Sequence, residues 1–513
     1  MLKMRNQEMA RSQPKRTGKR KLYKLHTWIG FHFMIIMTVV LFTGTIATIS
    51  NEIDWLTQHD MRVVPDGEKV SWDEMEAFVR AAAPTHMLNV LEEQAGDHFA
   101  YRATMTKPDG KQYFMHVNQW TGEVTGTTPR LTVQRFFRDL HRYLFMPSII
   151  GLPIVSAMAF VLALSLYTGL KTAGKLRKTA VRLRRDKGTR ILVGDLHKAI
   201  GIWASWFFIV VVITGIWYLV EFGAAVGGVR FEPERPTLTA EQTERYDSVM
   251  RHLSADELVE IASAELPNWR ATQIIYSSRL GNPATVLGVN GNPLIRKRAN
   301  RVFIDPVSGD AIKVQKSSEI NAVAYLNEMA DPIHFGFFGK LPTKLIWFVF
   351  GVGMTGLSVT GVWLTYRRLG RTFVSRAQLA TLPVMLLCMI AGKFYLDFYL
   401  VSEEPGQLVA SVNSTEAGFT IESRWEAGER TGKPRIKVEV SHPEGRPLVD
   451  SVDVEISGLE AVSLRQRSFD RVTNLSRQVP ELSNAERVIV RIRFVGGEVI
   501  EQTLLSNQLS SAS

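Results

Sequence analysis

The side chains in this sequence best suited to chemistry are histidines, and their placement along the chain is uneven. Eleven are present. His26 and His197 each sit in a Leu-His-x-x-x-Gly segment where a long apolar run begins, and His141 and His334 stand shortly before two further runs. Two imidazoles at one membrane depth, contributed by different helices, can hold one metal from opposite sides. Bis-histidine haem iron needs this arrangement, with neutral rings and an apolar cleft for the macrocycle. The expected ligand pairs are therefore His26 with His197 and His141 with His334. His32 lies inside the first run, where an ionisable group is rare and usually functional. It is six residues beyond His26, about 120° round a helix, so the two should not share an iron. The second copy has Trp203 at that position, which leaves His32 as a lone ligand or a replacement partner. His59, His86, His98, His116, His252 and His442 fall in soluble segments and are expected to be surface or module residues.

The elements that must position these rings are apolar helices. The chain has 513 residues, 45% of them hydrophobic and 22% charged. That composition excludes intrinsic disorder. A single cysteine, Cys388, excludes a disulfide scaffold and a cysteine-built zinc site. Five stretches reach the roughly 20 apolar residues that cross a bilayer: 26–49, 148–170, 200–221, 344–366 and 379–401. The short connections at 1–25, 171–199 and 367–378 hold 9, 10 and 4 basic residues, against three acids (Glu8, Asp186 and Asp195). This asymmetry predicts a cytoplasmic N-terminus and an external C-terminus. The net charge of +11 is thereby explained by topology, and no base-reading motif accompanies it, so a nucleic-acid partner is not expected. The length of the first run, with no small-x-small cleavage site, predicts an uncleaved anchor. In a bacterium the large segments 50–147, 222–343 and 402–513 would lie in the periplasm.

The apolar runs and outer segments repeat. His26 precedes Thr43-Gly44 by 17 residues, and His197 precedes Thr214-Gly215 by 17. His141 precedes Thr168-Gly169 by 27, and His334 precedes Thr360-Gly361 by 26. The Thr-Gly steps fit close helix approach, and Gly30 and Gly201 remove bulk one turn from the cytoplasmic histidines. Each outer segment opens with a helix-like stretch (72–83, 255–266) and closes with a strand and an Asn- or Asp-led turn (116–124, 303–311). The unit predicted is helix, external α+β module, helix, duplicated about an axis along the membrane normal. Such a core places two metal sites toward opposite faces of a layer about 30 Å thick. Trp206, Trp217, Trp347 and Trp363 read as belt and packing residues, and Lys393 with Asp397 as an i,i+4 pair in the fifth run. After that run, alternating segments at 435–440, 452–456 and 488–494 predict an antiparallel β-sandwich, with Gly496-Gly497 turning into Val499.

The order Leu-His-x-x-x-Gly … Thr-Gly, module, Leu-His … Thr-Gly, repeated, resembles the PepSY-associated transmembrane family over roughly residues 21–368. That family includes iron-regulated inner-membrane proteins and ferric-siderophore reductases. The modules resemble PepSY domains, most clearly at 118–124 and 305–311. The resemblance implies b-type haem, two per chain, on His26, His197, His141 and His334, with His32 behind them. It also implies reduction of a periplasmic ferric siderophore with release of Fe(II). Some members carry fused flavin and nicotinamide domains; this chain shows no Gly-rich nucleotide fingerprint, so the expected donor is a quinol or a cytoplasmic reductase. Two other readings stay open: a membrane-anchored peptide-binding or protease-regulatory module without redox activity, and a siderophore or metal transporter.

Overall fold

The computed structural model describes residues 13–369 and 407–505, less 85, 108–110, 248–252, 277–281, 417–418, 428–434, 442–448, 457–461, 464, 467–471, 479–486 and 495–497. The fifth apolar run, with Cys388, Lys393 and Asp397, lies outside the described residues, as do His252 and His442. The chain opens with α1 (Gln13–His32) and α2 (Met34–Thr48), then a short continuation, α3 (Ser50–Thr57). The first module comprises α4 (Trp72–Ala82), β1 (Met87–Glu92), β2 (Tyr101–Thr106), β3 (Gln112–Val117) and β4 (Val124–Pro129). Next come α5 (Val133–Tyr143), α6 (Ser148–Thr172), α7 (Thr189–Trp203) and α8 (Ser205–Val226). The second module is α9 (Ala255–Glu265), β5 (Arg270–Ile275), β6 (Ala284–Val289), β7 (Arg301–Ile304) and β8 (Ala311–Gln315). It leads into α10 (Ala322–Phe335) and α11 (Lys340–Leu369).

Among the described residues, α6, α8 and most of α11 are long and apolar enough to cross a membrane. The pair α1–α2 forms a fourth such span if its bend of 71° is accommodated. At 1.5 Å per residue, α6 and α8 reach about 38 and 33 Å, sufficient for a hydrocarbon layer of about 30 Å. Their outward faces carry exposed apolar side chains such as Phe160, Ile209 and Ile213, which suits lipid rather than water. Inside, small and hydroxylated residues let the helices close in. Gly351 of α11 meets Thr45 of α2, and Thr38 hydrogen-bonds Ser358 at 2.6 Å.

The modules are built alike. Ser71 and Ser254 start α4 and α9 through capping boxes with Glu74 and Glu257. Each helix covers a four-stranded antiparallel meander, and each meander contains the expected turn. Gly122 and Gly309 adopt φ of 82° and 81°, a left-handed conformation that glycine enters without strain. The modules are not separate, however. β1 pairs with β5, with Leu91 opposite Ile274, to give one eight-stranded sheet in the order β4-β3-β2-β1-β5-β6-β7-β8. Either meander alone would leave an unpaired edge at β1 or β5, and their pairing removes both. The helix starts are exchanged as well: the Asp256 carboxylate accepts from the backbone N–H groups of Trp72 and Asp73, and that of Asp73 accepts from Asp256 N–H.

The C-terminal part forms two facing antiparallel sheets over one apolar core that includes Ile421, Ile436, Val454 and Val490. The strands 487–494 and 499–505 pair antiparallel as the expected hairpin requires, with Arg493 opposite Val499.

Candidate cofactor site

Each of the four paired histidines rests on a Thr-Gly step of another helix, or beside one. His26 of α1 places Nδ1 3.0 Å from Thr168 Oγ1 of α6, and a Cβ on Gly169 would lie 3.3 Å from its ring. His197 of α7 places Nδ1 2.9 Å from Thr360 Oγ1 of α11, and a Cβ on Gly361 would lie 3.4 Å from its ring. His334 of α10 places Nδ1 2.8 Å from Thr214 Oγ1 of α8. His141 of α5 uses the Val40 carbonyl instead, at 2.8 Å, and its ring lies over Gly44, where a Cβ would stand 2.6 Å away. The Thr-Gly steps thus serve as histidine seats as well as helix contacts, a role their spacing alone did not reveal.

These contacts fix the protonation pattern. Thr168, Thr214 and Thr360 each donate their hydroxyl hydrogen to the carbonyl four residues back, at 2.7, 2.8 and 2.7 Å. Each hydroxyl must therefore accept from the histidine, and the Val40 carbonyl can only accept. All four rings carry their proton on Nδ1 and keep the Nε2 lone pair, the form that ligates a metal.

The rings meet in the expected pairs. The centroids of His26 and His197 are 6.4 Å apart, and those of His141 and His334 are 6.1 Å apart. A metal–imidazole bond of about 2 Å on each side of one centre requires ring centres roughly 6 Å apart. Neither pair joins a third histidine, cysteine or carboxylate into a metal cluster among the described residues. Two axial ligands suffice only when a macrocycle supplies the remaining donors. His32 joins neither pair: its Nδ1 hydrogen-bonds the Trp28 carbonyl at 2.8 Å and its ring lies against Trp28.

A cavity of about 540 Å³ opens at the first pair, within the size range of cofactor sites. Gly30, Gly169, Gly201 and Gly361 line it, with Phe208, Met354 and Leu357 toward its deep end. Nothing occupies the space a Cβ on Gly30 would enter, so the glycines keep a broad apolar slot open beside the imidazoles. Arg184, Arg190 and Lys198 of the basic end also line it, with Arg184 doubly bonded to Asp195. These residues fit a flat, metal-centred macrocycle with an anionic edge.

The two pairs occupy different levels of the bundle. On α6, Thr168 seats His26 while Ala159 touches Gly215, next to the seat of His334. On α11, Thr360 seats His197 while Gly351 touches Thr45, next to the seat of His141. Nine residues separate the levels on both helices, about 14 Å of rise. His141 and His334 do not ride on the ends of α6 and α11. They sit on separate helices, α5 and α10, which end in left-handed residues at Leu144 (φ 53°) and Gly336 (φ 72°) and lie against the bundle. Asp54 of α3 caps α5 through Val133 and Gln134 N–H, and Trp217 and Trp347 donate to Asn327 and Ile333 of α10. Trp217 and Trp347 are therefore packing residues with a specific task, that of holding the His334 helix.

The fold and site define a membrane protein whose helices carry facing histidine pairs beneath a shared α/β cap. The chain belongs to the PepSY-associated TM region family, whose model it matches over residues 23–368. No curated protein matches it.

Proposed function

We propose that this protein is a haem oxidoreductase of a bacterial inner membrane, passing electrons between its two histidine pairs to reduce a ferric chelate of the siderophore type on the module side. The observation that carries this reading is the pair of imidazole separations, 6.4 and 6.1 Å, with every Nδ1 held by an acceptor. An anchor for a peptide-binding module has no use for four such rings. The matched modules, exchanged helix caps and level-by-level seats support descent from a duplicated unit, which accounts for two sites of b-type haem. Haem held there would supply one-electron transfer. The protein's own part is to fix the imidazole tautomers, keep water from the slot and set each site's charge environment. In the orientation given by the basic loops, His26 and His197 face the cytoplasmic donor, a quinol or a reductase, and His141 and His334 face the periplasm. Ferric siderophores are tight because hard oxygen donors suit Fe(III); one electron from the module-side site weakens the complex and frees Fe(II).

A pyridine haemochrome assay on the purified full-length chain, expressed with ample haem, tests the reading. Two b-type haems per chain are expected, with a dithionite-reduced spectrum typical of bis-histidine iron. Haem-free protein overturns it.

A further inference from the structure

The module-side pair has an ionic surround of its own, built on α5 and α10. Arg138 lies one turn before both His141 (i+3) and Arg142 (i+4) on α5, so it neighbours each of them. Among the described residues Arg135 pairs with Asp139, whereas Arg138 and Arg142 have no carboxylate within ion-pair distance. Asp331 on α10 is an acid whose charge acts on both arginines. It is already committed, accepting from Arg296 at 2.8 Å and from Tyr218 at 2.8 Å. Glu328, one turn earlier on α10, is shared between Arg296 and Arg298. The Arg142 charge reaches both His141 and His334. Two guanidiniums one turn apart repel, and part-buried charges are retained only with a counter-charge. Arg138 stands one turn from His141, and the Arg142 charge acts on both imidazoles, so the missing anion belongs beside the histidine pair.

We propose that Arg138 and Arg142 form a carboxylate-binding site at the module-side histidine pair. Each guanidinium offers a planar fork that matches a carboxylate, and their spacing suits a ligand bearing two. This rests on the haem reading for one of two sources of the carboxylates: the propionates of a macrocycle held by His141 and His334. The other source is an acidic ferric chelate arriving at the same place.

The test compares the wild-type full-length chain, Arg138→Gln/Arg142→Gln and Arg138→Lys/Arg142→Lys. Haem per chain, redox titration of the bound haem and equilibrium dialysis against ferric citrate are measured on each. If propionates are bound, the glutamine variant drops from two haems to one, or shifts one midpoint potential and leaves the other; the basic-end haem reports that the protein is folded. If the chelate is bound, haem and potentials stay constant while ferric citrate affinity falls at least tenfold. The lysine variant should recover part of either loss, since charge remains without the fork. Wild-type haem content, potentials and ferric citrate binding in the glutamine variant would overturn the proposal. A wild-type chain that binds no haem defeats the oxidoreductase reading instead, and the carboxylate site then stands or falls on the dialysis alone.

Discussion

The basic-end and module-end histidine pairs present nearly the same ring separation in very different surroundings. At the basic end, two threonines hold the imidazoles and glycines keep a slot of about 540 Å³ open. At the module end, His141 is wedged over Gly44, His334 lies against Tyr218, and the surround is an ionic network of Arg296, Asp331 and Glu328. The first site is a preformed void between long helices. The second is assembled from two short helices continuous with the module sheet, so its geometry depends on that sheet staying in place. On the haem reading proposed above, equal imidazole pairs in unequal electrostatic settings would give the two centres different potentials.

The largest effect expected on this comparison comes from the ligands. His26→Ala or His197→Ala should remove one haem and leave the module-end one, while His141→Ala or His334→Ala should do the reverse, read as haem per chain and as loss of one of two redox transitions. A single substitution that empties both sites would end the claim of independent pairs. Next comes a steric contrast. Gly44→Ala drives a Cβ to 2.6 Å from a ring that the Val40 carbonyl holds in place, so the module-end haem should be lost. Gly361→Ala meets its ring at an ordinary 3.4 Å and should keep the basic-end haem.

A third expectation concerns the sheet. Glu92 joins the modules by accepting from Arg102 and Lys297. Burial pushes its carboxyl up, but the Lys297 and Arg102 charges prevail and hold it at about 2. Glu92→Gln removes the negative partner of these two part-exposed cations, at a cost of about 1–3 kcal/mol. It should loosen the module-end site in thermal unfolding followed by haem absorbance, with the basic-end site last to go. The pH dependence has the same sign. Glu92 is depressed from an ordinary 4.5, so its stabilisation is complete above that value and lost as pH falls toward 2. His116, which burial and the neighbouring Arg102 charge lower to about 4, removes further stability between its ordinary 6.5 and that value. Acid titration should therefore release module-end haem first.

The smallest effect is at the seats. Thr168→Val or Thr360→Val removes the acceptor that fixes Nδ1–H, and should weaken basic-end haem about ten- to hundredfold. Thr43→Val should leave the module-end site unchanged, because His141 uses a backbone carbonyl.

Much of this was legible in the chain itself. The apolar runs of α1–α2, α6, α8 and α11, the placing of the histidines, the module turns at Asn118 and Asp305 and the C-terminal sandwich follow from hydropathy, repeat spacing and period-two alternation, which are local properties. His32 was correctly separated from His26 by helix geometry alone. The seats were not legible. Thr168 lies 142 residues from His26 and Thr360 lies 163 from His197, and a Thr-Gly step reads equally well as a packing motif. His116 appeared to be an ordinary module histidine, yet it is fully buried, because only strand pairing shows which face of β3 is covered.

Composition and periodicity determined a set of membrane helices with imidazoles near two levels, since side-chain polarity must match its solvent wherever the helices pack. Tertiary structure decided the partners: which threonine accepts from which ring, which helix carries each outer histidine, and the fusion of two meanders through β1 and β5. Those outcomes depend on contacts between residues a hundred or more positions apart. Such contacts form only when whole helices and sheets have found their neighbours.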